Sequence, residues 1–122
     1  MVIKSKSRFE YYSYILEMLK VVRDNFKSLS PQEKNILVFI MAKYSELEGL
    51  DEADIISSIY STENRDKLLN FTGLKNSQAL ANIKSSLKRK GFLVAPLYKL
   101  NPNCKIPYRK KMTFNFIFEN EV

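Results

Sequence analysis

The sequence predicts a mainly α fold with a C-terminal β-hairpin (α+β), and three observations carry that expectation. Apolar residues recur at helical spacing near the N-terminus, where Tyr12, Ile15, Leu19, Val22 and Phe26 are separated by three and four positions. A strong helix-start signal, "LSPQEK", precedes the most apolar run in the chain. Beyond Gly91 the period changes to two: Met112, Phe114, Phe116 and Phe118 alternate with Thr113, Asn115, Ile117 and Glu119. The 122 residues fit one domain, and a 45% hydrophobic content with only 3 Gly and 4 Pro argues against a disordered chain.

Taken in order, residues 1–8 carry Lys4, Lys6 and Arg8 without apolar partners in register and read as a flexible basic arm, with 9–122 as a single domain. The helix expected over 9–28 bears a second apolar stripe of Tyr11, Tyr14, Met18 and Val21 beside the first. Two stripes exceed what one core contact needs. Either the helix is wedged deep in its own domain, or one stripe packs internally while Tyr11, Tyr14, Met18 and Val21 meet a second copy in a dimer.

Ser30 can N-cap the next helix, expected over 31–48. Pro31 suits its first position, where a missing N–H loses no partner, and Glu33 completes a capping box. Consecutive apolar residues from 36 to 42 leave no wet face, so this helix belongs at the centre of the domain. Gly49 is a plausible stop. Asp51 then offers a cap for a short helix through "EADIISSIY", although Ile55, Ile56 and Ile59 also suit a strand.

Residues 62–91 read as two helices joined by a turn. Ser61 or Thr62 caps the first, "ENRDKLLNFTGL", and Gly73 permits the left-handed backbone that the turn requires while Leu74 plugs the angle between the helices. Asn76 or Ser77 caps the second, whose Leu80, Ile83 and Leu87 share one face. At 100° per residue the opposite face displays Gln78, Ala81, Asn82, Ser85 and Arg89. After Gly91 a strand begins at Phe92 and is limited by Pro96. The hairpin expected over 92–119 returns through 112–119, around a long basic tip, "NPNCKIPYRKK", with Tyr108 covering its own turn.

Charge is polarised along the chain, whose formal net charge is +7. Ten Lys or Arg residues and no Asp or Glu lie between Lys75 and Phe118, whereas 46–66 holds seven acids and one base. Such a distribution suits one face to a polyanion. Surface helices usually mix acids with bases, and the helix after Asn76 has no acid.

Other classes are disfavoured. The lone Cys104 points to a reducing compartment, and the absence of His leaves metal or haem sites almost without ligands, so no cofactor and no metal are expected. No apolar run approaches the ~18 residues that span a bilayer. The N-terminus lacks the apolar region of a signal peptide, which implies a cytoplasmic protein with no membrane partner. No nucleophile–base pair, glycine-rich phosphate loop or carboxylate dyad appears, so an enzyme is not expected. The acids Glu46, Glu48, Asp51, Glu52 and Asp54 lack the ligand order of a calcium loop and read as a solvated connection.

With these residues in place, 62–119 resembles the winged helix-turn-helix superfamily. The match rests on "LLNFTGLKNSQALANIKSSLKRKGFLV": a helix ending in "TGL", a second with apolar positions 80, 83 and 87, and "KRKGFLV" leading into the wing. MarR-like regulators and phage or plasmid replication initiators end their recognition helices in a similar step. The wing tip here is larger than usual. The resemblance implies a winged fold with an added long N-terminal helix and a sequence-specific double-stranded DNA-binding function, as a transcription regulator or a replication or partition factor. Its recognition helix, 76–90, would lie in the major groove, where Asn82 and Gln78 could pair with adenine edges and Arg89 with phosphate or guanine, with Asn76, Ser77 and Ser85 also on the DNA-binding surface. Lys75, Lys88 and Lys90 would contact phosphates, and the wing residues Lys105, Arg109, Lys110 and Lys111 a minor groove or backbone. The alternative is a bacteriophage virion or assembly protein that turns the same fold to contacts with phage structural proteins.

Overall fold

A computed structural model of the chain describes residues 2–4, 7–106, 108 and 111–113. Local caps account for most of its helix boundaries. Helix α1 (Arg8–Val22) starts where the Ser7 hydroxyl accepts the Glu10 N–H. It stops at Arg23, which is extended (φ −129°, ψ 123°), and a single turn, α2 (Asp24–Lys27), follows. The continuous 9–28 helix expected from the sequence is therefore broken. The break swings Phe26 onto Phe92, with ring centroids 5.0 Å apart, and leaves Val22, expected on the inner stripe, 70% exposed.

Helix α3 (Pro31–Glu46) carries the full capping box: the Ser30 hydroxyl accepts the Glu33 N–H at 3.1 Å, and Glu33 Oε1 accepts the Ser30 N–H at 2.7 Å. Residues 36–42 are all buried. The other long helices pack around this segment, with α1 on one side and α4 (Glu52–Ile59), α5 (Thr62–Thr72) and α6 (Ser77–Arg89) on the others. The segment that suited helix or strand is the helix α4, which buries Ile55, Ile56 and Ile59. Phe9, Phe39 and Phe71 stack where α1, α3 and α5 meet, with centroids 5.0–6.2 Å apart.

The α5–α6 connection follows its residues closely. Ser61 caps α5 through the Asn64 N–H, and Gly73 ends it at φ +74°, a left-handed conformation that costs glycine nothing sterically. Leu74 then donates its N–H to the Leu69 carbonyl at 3.0 Å and packs partly buried between the helices. At the far end of α6, Gly91 (φ +88°) lets the Phe92 N–H return to the Leu87 carbonyl at 2.9 Å, which drives the Phe92 ring into the core.

Strands β2 (Leu93–Val94) and β3 (Lys99–Leu100) form a small antiparallel hairpin near the C-terminus, Leu93 opposite Leu100 and Val94 opposite Lys99. This corrects the 92–119 wing. The chain turns back at 95–98 rather than at 101–111, because Leu100 can pair beside Leu93 with both side chains buried. A 3-10 turn (Pro102–Cys104) then leads the chain away, and β4 (Lys111–Thr113) pairs antiparallel with β1 (Val2–Lys4), placing Met112 opposite Ile3. Residues 2–4 are thus a strand, not part of a loose arm, since β4 supplies partners for their backbone groups. The expected phenylalanine face, Phe114, Phe116 and Phe118, lies outside the described residues. Among those residues no helix is long and apolar enough to cross a membrane.

Candidate nucleic-acid interface

Three directions of attachment orient α6. Leu80 and Leu87, with partly buried Ile83, face the core. On one flank Ser86 and Lys90 reach the N-terminus of α3: the Ser86 hydroxyl donates to Glu33 Oε2 at 2.5 Å, and Lys90 Nζ donates to Glu33 Oε1 and to the Ser28 carbonyl, at 2.7 and 2.6 Å. On the other flank the Lys84 ammonium lies 4.6 Å from the Tyr60 ring centroid and 5.0 Å from that of Tyr98, joining α6 to the end of α4 and to the hairpin. What remains outward is the polar side.

That side holds most of the candidate binding residues. Lys75, in the turn, and Ser77, Gln78, Asn82, Lys88 and Arg89, on the helix, are exposed, and Ser85 is half-buried. Among the described residues Lys75, Lys88 and Arg89 enter no salt bridge. Asn76 is exposed, but its side-chain oxygen accepts the Ala79 N–H at 2.9 Å as the helix cap. Gln78 Nε2 donates to Asn82 Oδ1 at 3.1 Å. The bond uses a Gln78 N–H and Asn82 Oδ1, so the Asn82 NH₂ remains a donor and the Gln78 carbonyl oxygen an acceptor.

Several residues assigned to the interface from sequence lie elsewhere. Lys90 stands exposed at the end of α6, where its ammonium is paired with Glu33. Lys105 is not on a wing tip: the early turn of the hairpin carries it back across α4, where it donates to Glu52 Oε2 at 2.9 Å and stands 5.2 Å from the Tyr44 ring. Lys99 faces the same carboxylate at 3.5 Å. The Lys105 bond is the main cause of a lowered Glu52 carboxyl. Lys111 belongs to β4, paired with β1 instead of with β2. Arg109 and Lys110 lie outside the described residues.

The proposed dimer stripe divides in a similar way. Tyr11 is 2% exposed and belongs to the protein's own core, its ring 5.1 Å from that of Tyr108, so it is not an interface residue. Tyr14 and Met18 are half-buried, and Val21 is 64% exposed beside Val22. The apolar surface of α1 is therefore concentrated at its C-terminal end. Sequence reasoning missed Glu33 as the anchor of α6. Its capping-box role was visible, but no local signal joined it to Lys90, 57 positions away.

A cleft of about 550 Å³ lies between α1, the C-terminal part of α3 and the segment after β3, lined by Tyr12, Tyr44, Ser45, Glu48 and Lys105 among others. None of its lining residues is on α6. A groove of about 440 Å³ does adjoin α6, between the α3 N-terminus and the turn, lined by Gln32, Leu74, Lys75, Asn76, Asn82 and Ile83.

Fold and surface together define a mainly helical protein with a two-helix unit, a short hairpin beside it and an acid-free outer helix face. No family model matches the chain, and no curated protein or solved structure matches it.

Proposed function

We propose that the chain is a winged-helix-type DNA-binding protein, without enzymatic activity, that lays α6 in the major groove of double-stranded DNA. The observation that carries this reading is the outward face of α6. It offers amides, hydroxyls and the cations Lys75, Lys88 and Arg89, with no acid on the helix or in its turn. An α-helix fits the major groove, and Asn or Gln matches the paired donor and acceptor of an adenine edge. The Gln78–Asn82 bond still leaves a donor on Asn82 and an acceptor on Gln78. The cations supply the sequence-independent attraction to phosphates. The order helix, turn, helix, hairpin from α5 to β3 supports the winged reading, with transcription regulation or replication as the role.

Equilibrium binding to a mixed-sequence duplex at low salt tests the proposal. Wild type is expected to bind, and Asn82→Ala to lose about 1–3 kcal/mol of discrimination for adenine-containing sites selected by wild type. No binding at low salt sinks the proposal, and so does an Asn82→Ala variant that selects the same sites as strongly.

Dimerisation through the α1 end is part of the same proposal, supported by the exposed Val21 and Val22 beside Met18. A second copy would allow two α6 helices to read half-sites one helical turn, about 34 Å, apart on one duplex. Sedimentation should return a dimer mass for wild type and a monomer mass for Met18→Glu. A wild-type monomer rejects the dimer.

A further inference from the structure

The cleft beside α1 takes no part in DNA binding, since none of its lining residues is on α6. Its volume of about 550 Å³ lies within the range of about 300–1,000 Å³ typical of small-molecule sites. Buried Met41, Ile55 and Leu100 supply apolar lining, and Tyr12, Tyr44 and Ser45 bring hydroxyls to it. Those hydroxyls are already engaged within the protein. Tyr12 Oη donates to the Ile106 carbonyl at 2.5 Å, Tyr44 Oη accepts the Leu100 N–H at 3.3 Å, and Ser45 Oγ accepts from Arg8 Nε at 3.0 Å.

The charges at the cleft are less completely matched. Glu48 lines it, is exposed, and enters no salt bridge among the described residues. On the same lining Lys105 shares the Glu52 carboxylate with Lys99, at 2.9 and 3.5 Å, so two ammoniums meet one acid. Arg8 adds a third cation at the edge. Its guanidinium is held by Ser45 and lies 4.6 Å from the Tyr108 ring centroid, both of them lining residues, and it too enters no salt bridge among the described residues. Burial pushes the Tyr12 hydroxyl up to about 12, and Arg8 and Glu48 act on it with opposite signs, which places both charges near that hydroxyl.

We infer that this cleft binds a small zwitterion, an α-amino acid with an apolar side chain, whose ammonium pairs with Glu48 and whose carboxylate is drawn to Lys105 and Arg8. Charge complementarity selects this occupant. A simple anion would face the Glu48 carboxylate, and a simple cation would face Lys105 and Arg8. A neutral apolar molecule would take water from all three and return no hydrogen bond. A ligand carrying both charges compensates both signs through charge-assisted bonds, while its side chain covers Met41, Ile55 and Leu100. The site is independent of α6 and stands whether or not the chain binds DNA.

Titration calorimetry of the full chain with L-phenylalanine, L-leucine and L-methionine, each beside its N-acetyl and carboxamide derivatives, tests the site. At least one free amino acid is expected to bind, and blocking either of its charges should weaken it by about tenfold or more, the size of one lost charge-assisted bond. Glu48→Gln should weaken the free amino acid by a similar factor and leave its N-acetyl form no weaker. Lys105→Gln should do the same with the carboxamide form. A variant that had merely lost structure would weaken every ligand alike. Absence of binding by all three amino acids at millimolar concentration overturns the site. Equal binding of free and blocked forms overturns it too, as does a Glu48→Gln variant with wild-type affinity.

Discussion

Replacing Glu33 with Ala is expected to lower the unfolding free energy by about 3 kcal/mol, the combined cost of losing the α3 capping box and the charge-assisted bond from the part-exposed Lys90. The Glu33 carboxylate is 4% exposed and accepts three bonds, from the Ser30 N–H, the Ser86 hydroxyl and the Lys90 ammonium. Truncation opens the capping box of α3 and leaves the ammonium with the Ser28 carbonyl alone. Because Ser86 and Lys90 are on the last turns of α6, the loss also loosens the helix that presents the candidate interface.

The same group sets an acid limb. Burial by itself pushes the Glu33 carboxyl up, but the bonds from Lys90, the Ser30 N–H and Ser86 outweigh it and bring the carboxyl from its ordinary 4.5 down to about 2. A depressed value in the folded state means that the stabilisation is complete above about pH 4.5 and is lost as pH falls toward about 2. At ~1.4 kcal/mol per pH unit, that interval corresponds to about 3 kcal/mol. Urea denaturation at stepped pH should therefore show wild-type stability falling across this window, with Glu33→Ala lower at pH 7 and without that part of the fall. Equal stability of the two proteins at pH 7 would show that the carboxylate is not the anchor described here.

Glu33 also shows how far the sequence can be read. Its capping box with Ser30 was legible because both partners lie within one helical turn. The same holds for the caps at Ser61 and Asn76 and for the turns at Gly73 and Gly91, each decided by residues a few positions apart. Its bond to Lys90 was not legible, because it joins residues 57 positions apart and depends on how α6 packs against α3. The charge count between Lys75 and Phe118 had the same weakness. It registers every cation as available, yet Lys90 is held by Glu33, Lys99 and Lys105 by Glu52, and Lys84 by two tyrosine rings.

Periodicity failed where a break or a choice of partner intervened. The inner stripe of the first helix ran through Val22 to Phe26, but Arg23 interrupts it, so Val22 faces outward and Phe26 reaches Phe92 by another path. Alternation at 112–118 suggested a strand without saying what it pairs with. The observed partner of β4 is β1, at the opposite end of the chain. The helical architecture and the outward residues of α6 were thus legible, whereas the hairpin and the internal ion pairs depended on long-range packing.

Reversing Lys88 and Arg89 together, as Lys88→Glu with Arg89→Glu, carries the second large effect. Both side chains are exposed at the end of α6 and enter no salt bridge among the described residues, so the fold should persist and far-ultraviolet circular dichroism should match wild type. If each contacts a phosphate, the slope of log K against log salt should become shallower by about 2, at ~0.9 per contact. Binding at fixed salt should weaken by more than neutralisation alone would produce, since each Glu adds repulsion.

The salt titration of wild type and this double variant against one mixed-sequence duplex is the most direct test of α6 as the DNA-facing element. The expected result is salt-dependent binding by wild type and weaker binding with the shallower slope in the folded variant. Salt-independent binding, or a variant that binds with the affinity and slope of wild type, would contradict it.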